Sequence, residues 1–385
     1  MNTAMPRIAL VAGETSGDQL GAALIRQIKQ QYPNAIFSGI GGRHMRSAGM
    51  DTWWDSEELA VFGLFEVLSH FPRLLKIRNS LRQRLLMSKP DVFIGIDAPD
   101  FNLGLEIVLK RSGIRTVHYV SPTVWAWREK RVRKIARAAD LVLCLFPFEP
   151  DFYRGHGVSA AYVGHPMADQ ISENNEPGLA RKQLGIQSGG KVVALLPGSR
   201  SGEVSRLAAP MIEAAKIIAK TRPEVHFVSA MANTRVRKLF ESALLQAGNP
   251  DIQLVDNDPR GVIAASDVAM VASGTATLET MLINRPMVVS YRVSAATYYL
   301  AKSLKLISAK YVSLPNILAA EALVPELLQQ EANGTRLAQE TLGWLENDQR
   351  RRDLRARFSS LHAELRSNAS ENAARAIDEL LGQPL

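Results

Sequence analysis

A chain of 385 residues is too long for one ordinary core and predicts two domains. With 46% hydrophobic and 22% charged residues it is neither disordered nor fibrous, and no uncharged apolar stretch reaches the length of a membrane span. The net charge of +8 calls for an acidic partner: nucleic acid, an anionic membrane surface or a phosphorylated substrate. No cationic leader with a cleavable apolar segment precedes the run 8–12, so no signal peptide is expected. Cys144 stands alone inside an apolar run and reads as a small packed hydrophobe in a reducing compartment.

The first half alternates short β-branched runs with helical patterns, the strands falling at 8–12, 35–39, 92–96, 116–120, 141–145 and 161–163. A second series, at 192–196, 225–230, 252–255, 268–272 and 287–291, follows a polar, glycine-rich stretch at 174–190. Such alternation predicts an α/β protein of two Rossmann-like domains, 1–175 and 190–345. The charged tail 346–385 still carries an apolar face at Ala373, Ile377, Leu380 and Leu381, with Asn368 and Glu371 spaced as a capping box. It predicts packed helix.

"LVAGETSGDQLGA" (10–22) is neither a dinucleotide fingerprint nor a P-loop: Gly13, Gly17 and Gly21 are spaced by four, and no Gly-Lys-Ser/Thr follows. A loop after a first strand still opens into the ligand crevice of an open sheet, and a helix start near Ser16 and Asp18 offers backbone amides there. The alternative is that Ser16 and Asp18 only cap the helix. "VFGLFEVLSHFPRLLKIRNSLRQRLL" (61–86) holds Val61, Phe62, Leu64, Phe65, Leu68 and Phe71, more large apolar residues than one buried stripe needs. The six cations from Arg73 to Lys89 have no acid among them, which suits an element seated on anionic lipid, although Leu81 and Leu85 suit a core face.

"VFIGIDAPDFN" (92–102) places Asp97 between a strand that reads as buried on both faces and Pro99, which ends that strand. Its carboxylate is either a general base at the crevice or a turn acid bonded to nearby amides. "SPTVWAWREKRVRKIAR" (121–137) interleaves Trp125 and Trp127 with six cations. No nucleic-acid motif accompanies it, and a headgroup interface or a phosphorylated amphiphile fits the same residues. In the second half, Ser199 and Arg200 in "LLPGSRSGEV" and the helix start Gly274, Thr275, Ala276 and Thr277 in "MVASGTATLETML" form two anion loops, with Glu279 one turn on for a ribose. Asp256 and Asp258 of "DND" read as turn residues rather than metal ligands, and no metal site is expected.

Together "VAGETSGDQLGA", "GIDAPDFN", "YVSPTVWAWRE", "FPFEPDFY", "YVGHP", "LPGSR", "ASGTATLE" and "VSLPNIL" resemble the lipid-A-disaccharide synthase family, in its order and over essentially the full length. The resemblance implies a GT-B glycosyltransferase: two Rossmann-like domains facing a central cleft, with C-terminal helices returning to the first. It implies transfer from UDP-2,3-diacylglucosamine to the 6-hydroxyl of 2,3-diacylglucosamine 1-phosphate, with inversion and without metal or other cofactor, at the cytoplasmic face of the inner membrane. By position, Ser16 and Asp97 match residues tied to catalysis, Asp97 as the base, with Glu14 and Asp18 as neighbouring carboxylates. Ser199, Arg200, Gly274 to Thr277, Glu279 and Asn316 match the UDP site. A homodimer is compatible with this, nucleic acid is not a partner, and the alternative is an enzyme resembling non-hydrolysing UDP-N-acetylglucosamine 2-epimerase.

Overall fold

Two fully parallel sheets absorb the β-branched runs. The computed structural model describes residues 5–59, 64–122, 131–186, 189–294 and 310–382, and of 64–71 the backbone alone. It divides into one unit made of 1–169 with 365–385 and another made of 170–364.

The first unit holds β1 (Arg7–Ala12), β2 (Ile36–Gly41), β3 (Asp51–Asp55), β4 (Val92–Ile96), β5 (Arg115–Tyr119), β6 (Leu141–Cys144) and β7 (Ala160–Tyr162). Their order is β3-β2-β1-β4-β5-β6-β7. β4 is buried along its whole length, as central strands covered by helices must be. Four helices matter for the site: α1 (Thr15–Gln31), α2 (Arg43–Ser47), α3 (Leu64–Ser88) and α4 (Pro99–Arg111). Ile77, Leu81 and Leu85 of α3 pack in the core with Phe93, Leu105 and Leu109, so the second half of this helix is structural. Val61 and Phe62 lie outside the described residues, as do the side chains of Leu64, Phe65, Leu68 and Phe71, and both Trp125 and Trp127. Cys144 is buried and burial pushes its thiol pKa up, which makes it inert.

The second unit holds β8 (Val192–Leu196), β9 (His226–Met231), β10 (Gln253–Asp256), β11 (Val268–Ala272), β12 (Met287–Tyr291) and β13 (Glu326–Leu328), in the order β10-β9-β8-β11-β12-β13. Its site is built on α5 (Ser201–Thr221), α6 (Pro259–Ala265), α7 (Thr275–Leu282) and α8 (Leu314–Ala319). Asp258 caps α6 by accepting from the Gly261 amide at 2.8 Å, and Asp256 meets Arg237 at 2.9 Å.

Both strand orders reverse direction once, between β1 and β4 and between β8 and β11. Ligands of open α/β sheets bind beyond the carboxyl ends of the strands at such points.

The tail divides. The helix α9 (Asp348–Leu365) belongs to the second unit up to Glu364, and only α10 (Ala369–Gly382) lies in the first. Ala373 and Ile377 of α10 join Ile25 and Ile28 of α1 in the core, while Asp378 accepts from Gln31 at 2.8 Å and from the Tyr32 hydroxyl. The amino end of α10 is capped by Asp169, which accepts from the amides of Ser367, Asn368 and Ala369 at 3.1, 3.0 and 2.7 Å.

Candidate active site

In the second unit a cavity of about 300 Å³ opens at the β8/β11 reversal. Ser199, Arg200, Gly274, Thr275, Ala276 and Glu279 all line it. Gly274 holds φ at +145°, a conformation that side chains rarely adopt, and a Cβ there would meet nothing within 4 Å. α7 has no side-chain cap; the Thr277 amide donates to the Gly274 carbonyl at 3.0 Å, and the amides of Thr275 and Ala276, which line the cavity, remain as donors. Arg200 carries an 86% exposed side chain whose nearest acid, Glu203, is 3.8 Å away, so most of its donors are open. Glu203 instead reaches back to the amides of Ser199 and Arg200, at 3.1 and 3.3 Å. Gly198 leaves room for this, since a Cβ there would overlap the Glu203 carboxylate.

Two residues expected to bind UDP do not line this cavity. Asn316 is buried, and its amide is used up by Val324 and Glu326, at 2.9 to 3.0 Å. Thr277 donates to the Gly274 carbonyl at 2.8 Å and accepts from the Leu314 amide at 3.3 Å, tying α7 to the start of α8. Thr277 thereby holds Gly274, a lining residue of the cavity, through its carbonyl. Arg260 was not foreseen: its Nε donates to Glu279 at 3.0 Å and so fixes one oxygen of the expected ribose acceptor. Residues 19 apart on two helices give no local signal of this contact.

In the first unit the opening loop and the Asp97 turn flank the β1/β4 reversal. The spacing of the glycines has a packing cause. A Cβ at Gly13 would touch Ala98 at 3.4 Å, one at Gly17 would touch Ile96 at 3.5 Å, and one at Gly21 would collide with Met45 and Ile96 at 2.7 and 2.9 Å. The stripe therefore seats α1 against the end of β4. Glu14, Thr15 and Ser16 stay exposed at the helix start, and neither Glu14 nor Ser16 caps it.

Asp18, expected among the catalytic carboxylates, has another role. Its oxygens accept from the amides of Gly42, His44 and Met45 at 2.7, 2.8 and 3.1 Å and from the His44 ring at 2.9 Å, which caps α2 from a distance. Burial works to raise its pKa, but these donors outweigh burial and hold it below the ordinary 3.8. A carboxylate so occupied is unsuited to take a proton. The depressed pKa also fixes a sign: its stabilisation is complete above about pH 4 and is lost as pH falls through the folded value. Asp18→Asn should lower stability by about 1–3 kcal/mol at neutral pH. The urea midpoints of mutant and parent should converge below about pH 4, and a constant gap down to acid pH would refute the assignment.

Asp97 and Ala98 both have positive φ, +51° and +43°, and Val120 at the end of the adjacent β5 has +78°. Non-glycine residues there cost about 1–3 kcal/mol each and cluster at functional sites. The Asp97 amide donates to Tyr119 at 2.8 Å and its carbonyl accepts from Asn102 at 2.9 Å. Its half-buried carboxylate has no partner among the described residues, so no hydrogen bond supports a turn-acid role.

Two parallel sheets of Rossmann-like type with interleaved helices are the GT-B fold. A Staphylococcus aureus protein, MnaA, solved with UDP, shares this fold at a TM-score of 0.65 and 15% identity, over 98% of this chain and 97% of that one. The family model for lipid-A-disaccharide synthetase matches residues 8–377, and the chain belongs to that family. A lipid-A-disaccharide synthase of Xanthomonas campestris pv. campestris is 52% identical over 98% of this chain and 87% of its own. One of Xylella fastidiosa is 51% identical over 98% and 99%. The epimerase alternative gives way to this match.

Proposed function

We propose that the chain transfers 2,3-diacylglucosamine from its UDP derivative to the 6-hydroxyl of 2,3-diacylglucosamine 1-phosphate, releasing UDP. The observation that carries the reading is the pair of crevice ends: the Thr275 and Ala276 amides with Arg200 and Glu279 in one unit, and in the other Asp97, strained and without a side-chain partner among the described residues. The first set suits a nucleoside diphosphate and the second suits an attacking hydroxyl. In the reaction Asp97 takes the hydroxyl proton as the oxygen attacks the anomeric carbon from the face opposite UDP. The bond from that carbon to the phosphate oxygen breaks, its electron pair leaves with UDP, and the configuration inverts. The α7 amides and Arg200 meet the growing charge on the diphosphate, the role a metal would otherwise take. Asp256 and Asp258 are already engaged, by Arg237 and by the Gly261 amide.

Incubation with the UDP sugar, with and without the monosaccharide phosphate, tests this. UDP and disaccharide should appear together and only with both present; UDP or an epimer formed from the donor alone would refute transfer.

The enzyme works, in this reading, as a peripheral protein on the anionic cytoplasmic face of the inner membrane. Among the described residues no helix is long and apolar enough to cross a membrane. Of the basic tract 73–89, Arg73 pairs with Glu58 and Arg84 stacks over Trp53 at 4.1 Å, while Lys76 and Lys89 are exposed. Replacing Val61, Phe65 and Leu68 together by Ser should move the protein from the membrane to the soluble fraction at unchanged melting temperature. Retained vesicle binding with a lowered melting temperature would assign these residues to the core.

A further inference from the structure

Beneath the Asp97 turn lies a buried polar layer that no step of the proposed reaction touches. Asn102, Glu106 and His118 are all 0% exposed. Asn102 and Glu106 stand four residues apart on α4, one above the other on its inner face. Asn102 Nδ2 donates to the Asp97 carbonyl at 2.9 Å. Glu106 Oε1 lies 2.8 Å from Nδ1 of His118 on β5, and the next residue on that strand, Tyr119, accepts the Asp97 amide at 2.8 Å. Gly95, two residues before Asp97, pairs in register with His118, and a Cβ there would overlap the Glu106 carboxylate and come within 2.9 Å of Asn102.

Every backbone hydrogen-bonding group of Asp97 is therefore held by this layer or by the strand to which it is bonded. A buried carboxylate and imidazole carry a desolvation cost that packed apolar side chains of similar volume avoid, so stability alone does not account for the pair. We infer that Asn102, Glu106 and His118 are positioning residues for Asp97. Asn102 clamps the carbonyl of the strained turn, and the Glu106–His118 pair locks the helix carrying that clamp to the strand carrying the Asp97 amide. The inference rests on Asp97 as the base.

Three variants test it by kcat, by KM for both substrates and by melting temperature: Asn102→Leu, Glu106→Gln, and Glu106→Leu with His118→Leu. Each is made in the parent and in an Asp97→Asn background. In the parent, Asn102→Leu and the double variant should lower kcat roughly a hundredfold, the cost of misplacing a reacting group by about 1 Å, with both KM values nearly unchanged. Glu106→Gln keeps an oxygen facing His118 and should retain near-parental turnover. The double variant should stay folded, because the buried pair is replaced rather than broken. In the Asp97→Asn background neither variant should lower turnover further, since the group they position is gone. Parental kcat in folded Asn102→Leu and double variants overturns the inference while leaving the base intact. So does a further loss in the Asp97→Asn background. If Asp97→Asn alone keeps its turnover, the base reading fails first and takes the inference with it. Should the larger substitutions unfold the protein, Asn102→Ser, which removes only the clamp, decides by the same kcat and KM criterion.

Discussion

Asp97→Asn should lower turnover by about a hundred- to ten-thousand-fold, the usual contribution of a general base, and leave the Michaelis constants nearly unchanged. The amide keeps the size of the carboxylate and much of its hydrogen-bonding capacity but cannot take the hydroxyl proton. Stability should not fall, because among the described residues no hydrogen bond to the Asp97 side chain is lost and the turn is held through its backbone by Tyr119 and Asn102. The measurement is steady-state turnover with both substrates, alongside melting temperature. Near-parental turnover would remove Asp97 from the mechanism. Glu14, exposed at the start of α1, would then be the carboxylate to test, since Asp18 is committed to capping α2.

Arg200→Ala should weaken UDP binding and slow transfer together, by about 1.5–3 kcal/mol, or roughly ten- to hundredfold. Its guanidinium matches diphosphate oxygens in the bound donor and matches them better as charge develops on the leaving group. Calorimetric titration with UDP reads the first effect and kcat/KM for the donor reads the second. The folded state should be indifferent, because the side chain is 86% exposed and its one ion pair among the described residues, to Glu203, is a loose 3.8 Å. Unchanged UDP affinity and turnover in the folded mutant would place the diphosphate elsewhere.

The parts of the fold that repeat a local pattern were legible in the sequence. The runs at 92–96, 192–196, 268–272 and 287–291 are strands with those limits, because a strand buried on both faces is a continuous apolar run bounded by turn residues. The strands not foreseen, β3 and β13, occupy sheet edges: one reads Asp-Thr-Trp-Trp-Asp, the other spans three residues, and half-exposed edges need no apolar run. At the site, the loops carrying Asp97, Arg200 and Gly274 were legible because each follows such a run. Their supports were not. Asp18 caps a helix that starts 25 residues on, Arg260 reaches Glu279 from another helix, and the Asn316 amide is tied to Val324 and Glu326. Such contacts arise only when distant segments meet, and no periodicity announces them.

The division of the chain sets an order of assembly. Residues 170–364 form a unit that interrupts the other one, and the interruption is closed where Asp169 binds the amides of Ser367, Asn368 and Ala369. During synthesis the first sheet emerges before the second. Its face on α1, however, waits for Ala373 and Ile377, which follow the whole of the second unit in the chain. The later unit can thus complete its core while the earlier one still exposes apolar surface, reversing the usual sequence in which the amino-terminal domain finishes first. A released chain truncated between residues 365 and 370 should therefore hold a protease-resistant second unit and a first unit still open to cleavage.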